Sequence, residues 1–276
     1  KLHTVLSLVL LSLAGTLPVS AQIDAETPSG SRSHPAKRSF PQITLTESRS
    51  QGEKAISQLG SRLPEVAAWY GKSSDEFRSL MKRDRALVLD RRGRLFVEDH
   101  LLVPLAAAAT PAQQSVNDGT LLPVDQTFLL HSRPTAQRTI YLNFKGATLS
   151  GTAWNTGPSI TALPFDLDGV PGTFSTAELQ RIQAIWQRVA EDFAPFDVNV
   201  TTEPPAADKL TRSSGTDQVF GTTVLITNSS GVYACSCGGV AYIGVFDDTG
   251  DYYKPALVFY NQLGGGNEKY VAEAIS

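Results

Sequence analysis

The side chains best suited to metal or nucleophilic chemistry are placed unevenly. The histidines are His3, His34, His100 and His131, and no two of them have metal-ligand spacing. From Arg138 onward there is no histidine, which excludes a serine–histidine–acid set or a cysteine–histidine pair built within that half. The only thiols, Cys235 and Cys237, lie in "YACSCGGV". In an exported chain they are expected to be disulfide-bonded. A bridge between residues so close in sequence is possible but strained, so pairing of one or both with cysteines beyond Ser276 stands as the alternative. A metal site at the pair would need further ligands, and none is near in sequence. "DLDG", Asp166 to Gly169, has the beginning of a Ca²⁺ loop but lacks its later acidic positions, and an Asp/Gly turn explains it equally well. Asp247, Asp248 and Asp251 in "FDDTGDYY" admit the same two readings. Asn199-Val-Thr201 and Asn228-Ser-Ser230 are glycosylation sequons in a eukaryotic host only.

The elements that must position such residues fall into two parts. Lys1, the apolar run Val5–Leu13 and the small residues Val19, Ser20 and Ala21 have the layout of a secretory signal peptide, residues 1–21, cleaved before Gln22. Residues 22–50, rich in Ser, Pro and charge, read as a flexible leader. Helical spacing follows from Ile56 to Asp84, with a Ser73–Glu76 capping box ahead of Phe77, Leu80 and Met81. "ALVLDRRGRLFVEDH" reads as a β-hairpin turning at Arg91, Arg92 and Gly93, and a small-residue linker occupies about 105–137. The first part, 22–137, is thus a small helix-plus-hairpin unit.

The second part, 138–276, reads strand, helix, four strands, helix. "TIYLNF" alternates as a strand, and a loop rich in Gly, Thr, Asn and Pro follows. The helix after it is the most fully specified element: Ser175 and Glu178 form a capping box, Phe174 and Leu179 are placed as a staple, Leu179, Ile182, Trp186, Val189 and Phe193 form one stripe, and Pro195 stops it. "DVNVTTE", "TTVLITN", "GGVAYIGVFD" and "ALVFYN" are strands, and "NEKYVAEAIS" opens a second helix. The fold class expected is α/β (α+β), with one sheet and two long helices.

That order, together with "GGVAYIGVFD", "IQAIWQRVAEDFAPFDVNVTT" and "KYVAEAIS", resembles the metzincin zinc metallopeptidases, particularly their secreted reprolysin-like branch, over Arg138 to Ser276. The resemblance implies a mixed sheet whose antiparallel edge strand is the Gly-x-Ala-Tyr sequence Gly239, Val240, Ala241 and Tyr242. It also implies that a peptide or protein substrate adds to the strand Gly239, Val240, Ala241, Tyr242, Ile243 and Gly244. In that family His-Glu-x-x-His-x-x-Gly-x-x-His would follow: two imidazoles on one helix face hold Zn²⁺ and the glutamate serves as base for its bound water. Those ligands are not in the sequence, so the Zn²⁺ ligands are expected beyond Ser276, and this stretch is expected to be inactive alone. Acidic residues common in the family's first strand are replaced here by Asn143 and Lys145, which argues against an ion site there.

The resemblance makes residues 22–137 a propeptide-like region of a zymogen. It contains no cysteine, so latency by a thiol on the metal is excluded, and inhibition would be steric, by covering the cleft or occupying the edge strand. Processing is expected near "HSRPTAQRT", at Arg133 or Arg138; a permanent N-terminal domain is the alternative. The chain has 276 residues, a net charge of -3 and 41% hydrophobic residues, enough for a core and without the basic face of a nucleic-acid binder. After signal cleavage nothing in it approaches a membrane span. The leading expectation is a secreted zinc metalloendopeptidase precursor; the rival is a non-catalytic secreted binding or adhesion module that keeps the sheet without metal.

Overall fold

Three short helices and a hairpin come first. The computed structural model describes residues 39–100, 122–155 and 157–276; the signal peptide, the leader up to residue 38 and residues 101–121 of the linker region lie outside them. Helices α1 (Gly52–Leu59), α2 (Leu63–Trp69) and α3 (Ser74–Arg83) bury Ala55, Leu59, Leu63, Val66, Phe77 and Met81 in one cluster. The expected capping box forms: Ser73 Oγ accepts from the Glu76 amide at 3.2 Å, and the Glu76 carboxylate accepts from the Ser73 amide at 2.8 Å. Strand β1 (Arg49–Ser50) pairs antiparallel with β2 (Leu87–Asp90), which turns into β3 (Leu95–Asp99). Gly93 takes the left-handed conformation this turn requires, at φ +76°.

In the second part β4 (Arg138–Asn143) sends Ile140 and Leu142 into the core. The long loop after it carries a ribbon that the sequence pattern did not reveal, β5 (Ala147–Leu149) against β6 (Ile160–Ala162). Strands of three residues are too short to display an alternation. Helix α4 (Thr176–Asp192) begins at the Ser175–Glu178 box and lays Ile182, Ile185 and Val189 on the sheet. Phe174 packs against Phe128 with the rings tilted and their centroids 5.0 Å apart. Strands β7 (Val198–Thr201), β8 (Phe220–Thr227), β9 (Gly239–Tyr242) and β10 (Ala256–Phe259) follow, then α5 (Glu268–Ile275). The Asn267 side chain caps α5 by accepting from the Lys269 and Tyr270 amides.

The sheet has eight strands in the order β1-β2-β3-β9-β10-β8-β4-β7. Strands β10, β8, β4 and β7 are parallel, and β9 runs antiparallel to β10. The α+β class and the antiparallel sense of β9 are therefore as expected. Its place at the edge is not: β3 pairs with its other side, so β9 lies inside the sheet. The physical reason is that the hairpin's outer strand has its own unpaired amides and carbonyls, and these are satisfied on the row that β9 would otherwise expose. Of the two helices, α4 has 17 residues and α5 has 8.

Helices α4 and α5 cover one face of the sheet; the ribbon and residues 232–237 cover the other. The helices are tied together by Arg181, which reaches Glu268 at 2.8 Å and the Gly266 carbonyl at 3.0 Å. Glu268 is 7% exposed. Arg181→Ala should therefore lower the unfolding free energy by about 2 kcal/mol, since it strands a mostly buried carboxylate. A denaturant titration checks this; an unchanged midpoint would mean that Glu268 is solvated in solution. Among the described residues no helix is long and apolar enough to cross a membrane.

Candidate functional site

The seam between β3 and β9 brings the expected peptide-docking strand against a strand of the chain's own first part. Phe96 faces Tyr242, Val97 faces Ala241, Glu98 faces Val240 and Asp99 faces Gly239. The ladder closes at both ends: the Ile243 amide donates to the Leu95 carbonyl at 3.0 Å, and the Gly238 amide to the Asp99 carbonyl at 2.7 Å. The glycines that begin β9 allow this close packing. A Cβ on Gly239 would lie 2.8 Å from the Leu257 carbonyl oxygen, and one on Gly238 2.6 Å from the Leu263 side chain. Gly244 ends the segment in the left-handed region at φ +71°, against the Trp69 ring.

Strand alternation splits the seam into two faces. On one, Phe96 is 2% exposed and its ring meets Tyr242 at 5.4 Å and Trp154 at 5.8 Å between centroids. Trp154 is fixed by its indole N–H, which donates to the Pro255 carbonyl at 2.7 Å. On the same face the Tyr233 hydroxyl donates to Glu98 Oε1 at 2.7 Å, and the Arg49 guanidinium lies 4.1 Å from the Tyr233 ring centre. Burial, reinforced by the Glu98 bond, pushes the Tyr233 phenol well above its ordinary range. On the other face Val97 and Asp99 line a cavity of about 550 Å³ with Ala241, Ala256 and Glu273. A second cavity of about 540 Å³, walled by Ile140, Phe193, Phe196, Val245 and Ile275, also borders Ala241.

Beyond the ladder, buried Arg94 joins the hairpin to the loop after β9, and buried Asp90 joins it to Tyr242 of β9. Arg94 is 7% exposed, with Nη2 3.2 Å from Asp248 Oδ2 and its guanidinium 4.2, 4.4 and 4.8 Å from the ring centres of Phe40, Trp69 and Tyr253. Asp90 Oδ1 accepts from the Arg92 and Arg94 amides at 2.8 and 2.7 Å, and Oδ2 accepts from the Tyr242 hydroxyl at 3.1 Å. Burial pushes the Asp90 carboxyl above the usual carboxylate range, and burial together with the Asp90 charge raises Tyr242. A raised folded-state value means that the folded chain holds this proton more tightly than the unfolded one. Its contribution is therefore complete below about pH 3.9 and is lost as the pH rises through the raised value. Asp90→Asn keeps an acceptor for the two amides and should flatten that part of the Tm-against-pH curve; a curve of unchanged shape would place the titration elsewhere.

Cys235 and Cys237 are bonded to each other, with Cα atoms 5.3 Å apart, which decides between the two pairings left open by the sequence. Their loop abuts the end of β3, where His100 Nδ1 lies 3.3 Å from the Ser236 carbonyl oxygen. His131 is elsewhere, with Nε2 2.7 Å from Glu203 and Nδ1 3.0 Å from Asn199 Nδ2. Asn199 is buried in β7 by these contacts, so its sequon is no acceptor in the folded chain. At the expected processing site, the Ser132 amide donates to the Val200 carbonyl, Arg133 pairs with Asp197, and Arg138 begins β4.

Among the described residues one group could hold a metal ion, Asp166, Asp168 and Glu178. Its oxygens are of the type that suits Ca²⁺, and it lacks the imidazole or thiolate of a zinc site. Those oxygens also have structural work. Asp166 Oδ1 accepts from the amides of Asp168, Gly169 and Val170, and Glu178 accepts from Leu167 and Ser175 at 2.6 and 2.7 Å. Asp248 and Asp251 are drawn into ion pairs with Arg94 and Lys254.

Trp154, Tyr233, Asp90 and Arg94 belong to no motif, and nothing in their local spacing marks them in the sequence. Comparison with protein-family models, with curated proteins and with solved structures finds no match.

Proposed function

We propose that this chain belongs to the precursor of a secreted zinc-dependent endopeptidase, in which β9 is the strand that holds an extended peptide and β3 keeps that place filled. The observation that carries this reading is the β3–β9 ladder. A strand from the first part lies antiparallel along Gly239–Tyr242, bonded through its backbone as an added peptide would be. The antiparallel position of β9 beside four parallel strands supports it, as do the leader and the Cys235–Cys237 bridge, which suit an oxidising compartment.

With the hairpin in place β9 has no free edge, so a peptide can dock only when β3 leaves. The described residues do not make a zinc site. What they supply is orientation: the outward amides and carbonyls of Gly238–Ile243 fix the direction and register of whatever lies on β9.

The test is proteolysis by the full-length gene product before and after removal of the first part. Chelator-sensitive cleavage of an unstructured protein, appearing only after removal and accompanied by bound zinc, is the expected result. Absence of both zinc and cleavage overturns the reading.

One observation favours the second reading, a permanent binding module without catalysis. Val88 and Phe96 of the hairpin share a buried cluster with Leu225, Val240, Leu257 and Phe259, so the first part completes a core rather than merely resting on a surface. The zinc measurement separates the two.

A further inference from the structure

We infer that the hairpin strand is also a template for the ligand, and that the site on β9 selects extended peptides carrying an aromatic residue followed, two positions later, by a carboxylate. This rests on the reading of β9 as a docking strand and deepens it. A peptide that replaces β3 on the same row of hydrogen bonds runs in the same direction, with its side chains over the same positions. The residue opposite Tyr242 then takes the place of the Phe96 ring, which packs against the Tyr242 and Trp154 rings, themselves in contact with each other at 4.7 Å. Both of these rings come from the second part: Trp154 is held by the Pro255 carbonyl, and Tyr242 belongs to β9. Emptied, this place is an apolar slot beside the Trp154–Tyr242 ring pair, which an aromatic side chain covers better than an aliphatic one. The residue opposite Val240 stands beside the Tyr233 hydroxyl, which donates to the Glu98 carboxylate. A buried phenol without an acceptor is costly, so a peptide lacking an acceptor there is rejected. The intervening residue, in the place of Val97, faces the cavity beside α5, whose floor is Ala241 and Ala256; it is left less restricted.

The experiment uses the full chain with Val97→Pro. The Val97 amide lies on the β9 side of the strand, between Leu95 and Asp99, whose carbonyls accept from Ile243 and Gly238, so proline breaks the seam from within. A fluorescent heptapeptide with the chain's own sequence from Arg94 to His100 is titrated against it and against the parent. The expected result is binding to the variant and none to the parent. A peptide with alanine for phenylalanine, or with methionine, which offers the phenol no oxygen acceptor, for glutamate, should bind the variant about tenfold more weakly. Adding Tyr233→Phe should abolish the preference for glutamate and leave the aromatic preference intact.

Equal binding of all three peptides overturns the template while leaving docking on β9 standing. No binding of any peptide, with the Gly239–Tyr242 amides shown by hydrogen exchange to be open, overturns docking itself. Should the variant keep those amides closed, the slot is read within the parent chain by Phe96→Leu, which stays apolar but loses both ring contacts. Amide protection over Gly239–Tyr242 should then fall about tenfold, and unchanged protection overturns aromatic selection.

Discussion

Arg94→Ala is expected to lower the unfolding free energy by about 3 kcal/mol and to open the seam between β3 and β9 before the rest of the fold. Arg94 is a guanidinium held almost out of water, with one nitrogen on Asp248 and its plane against Phe40, Trp69 and Tyr253. Its Nε and Nη1 have no hydrogen-bond acceptor, which is tolerable only because ring faces stand beside them; a desolvated contact of this kind contributes about 2 kcal/mol. Alanine removes the cation, leaves a void between three rings, and leaves Asp248, itself mostly buried, without its guanidinium. Lysine should rescue little, because its ammonium is compact and more strongly hydrated.

Denaturant titration measures the global loss, and exchange of the Gly239–Tyr242 amides measures the local one. A double-mutant cycle with Asp248→Asn should show a coupling of about 1–3 kcal/mol. Additive single effects would mean that the aromatic packing, and not the ion pair, fastens the hairpin. Since Phe40 and Trp69 come from the first part and Asp248 and Tyr253 from the loop after β9, the residue bridges both.

Local chemistry explains which of these features the sequence announces. Ser73 with Glu76, and Ser175 with Glu178, satisfy helix amides within one turn, so the helix starts are written in adjacent residues. The alternation of Ile140 with Leu142 and the turn at Gly93 are equally local. The neighbour of β9 is not. The pairing of Phe96 with Tyr242 joins residues far apart in the chain, and the pattern of "LFVED" is that of any strand with one free side; which edge it joins depends on shape and burial across the whole sheet.

Trp154 was equally illegible. It sits in a loop, and its role comes from a single carbonyl, that of Pro255, and from rings contributed by β3, β9 and the loop before β9. The cysteine pairing was open for a similar reason: spacing admits a bridge between near neighbours, and only the backbone geometry at Cys235 and Cys237 selects it.

Phe96→Ala should cost about 3–5 kcal/mol, the usual range for deleting a buried aromatic ring, and where that loss falls separates a removable strand from a permanent one. The useful control is Phe77→Ala, which deletes a ring of the same size at 0% exposure among the first part's own helices. If β3 is a strand built to leave, its replacement by solvent is a local opening. Phe96→Ala then raises exchange at Gly239–Tyr242 and exposes Trp154, while the amides of Ile182–Val189 in α4 keep their protection. Phe77→Ala should act on the same amides only to the extent that it loosens the helices behind the hairpin. If the first part is instead a fixed share of one core, the cluster joining Phe96 to Leu225, Leu257 and Phe259 transmits the loss through the sheet. The α4 amides then fall together with those of β9, in proportion to the global loss. The first pattern is the one a latent peptide-docking strand requires, because β9 must be uncovered without unfolding the sheet that orients it; the second is what a binding module would show.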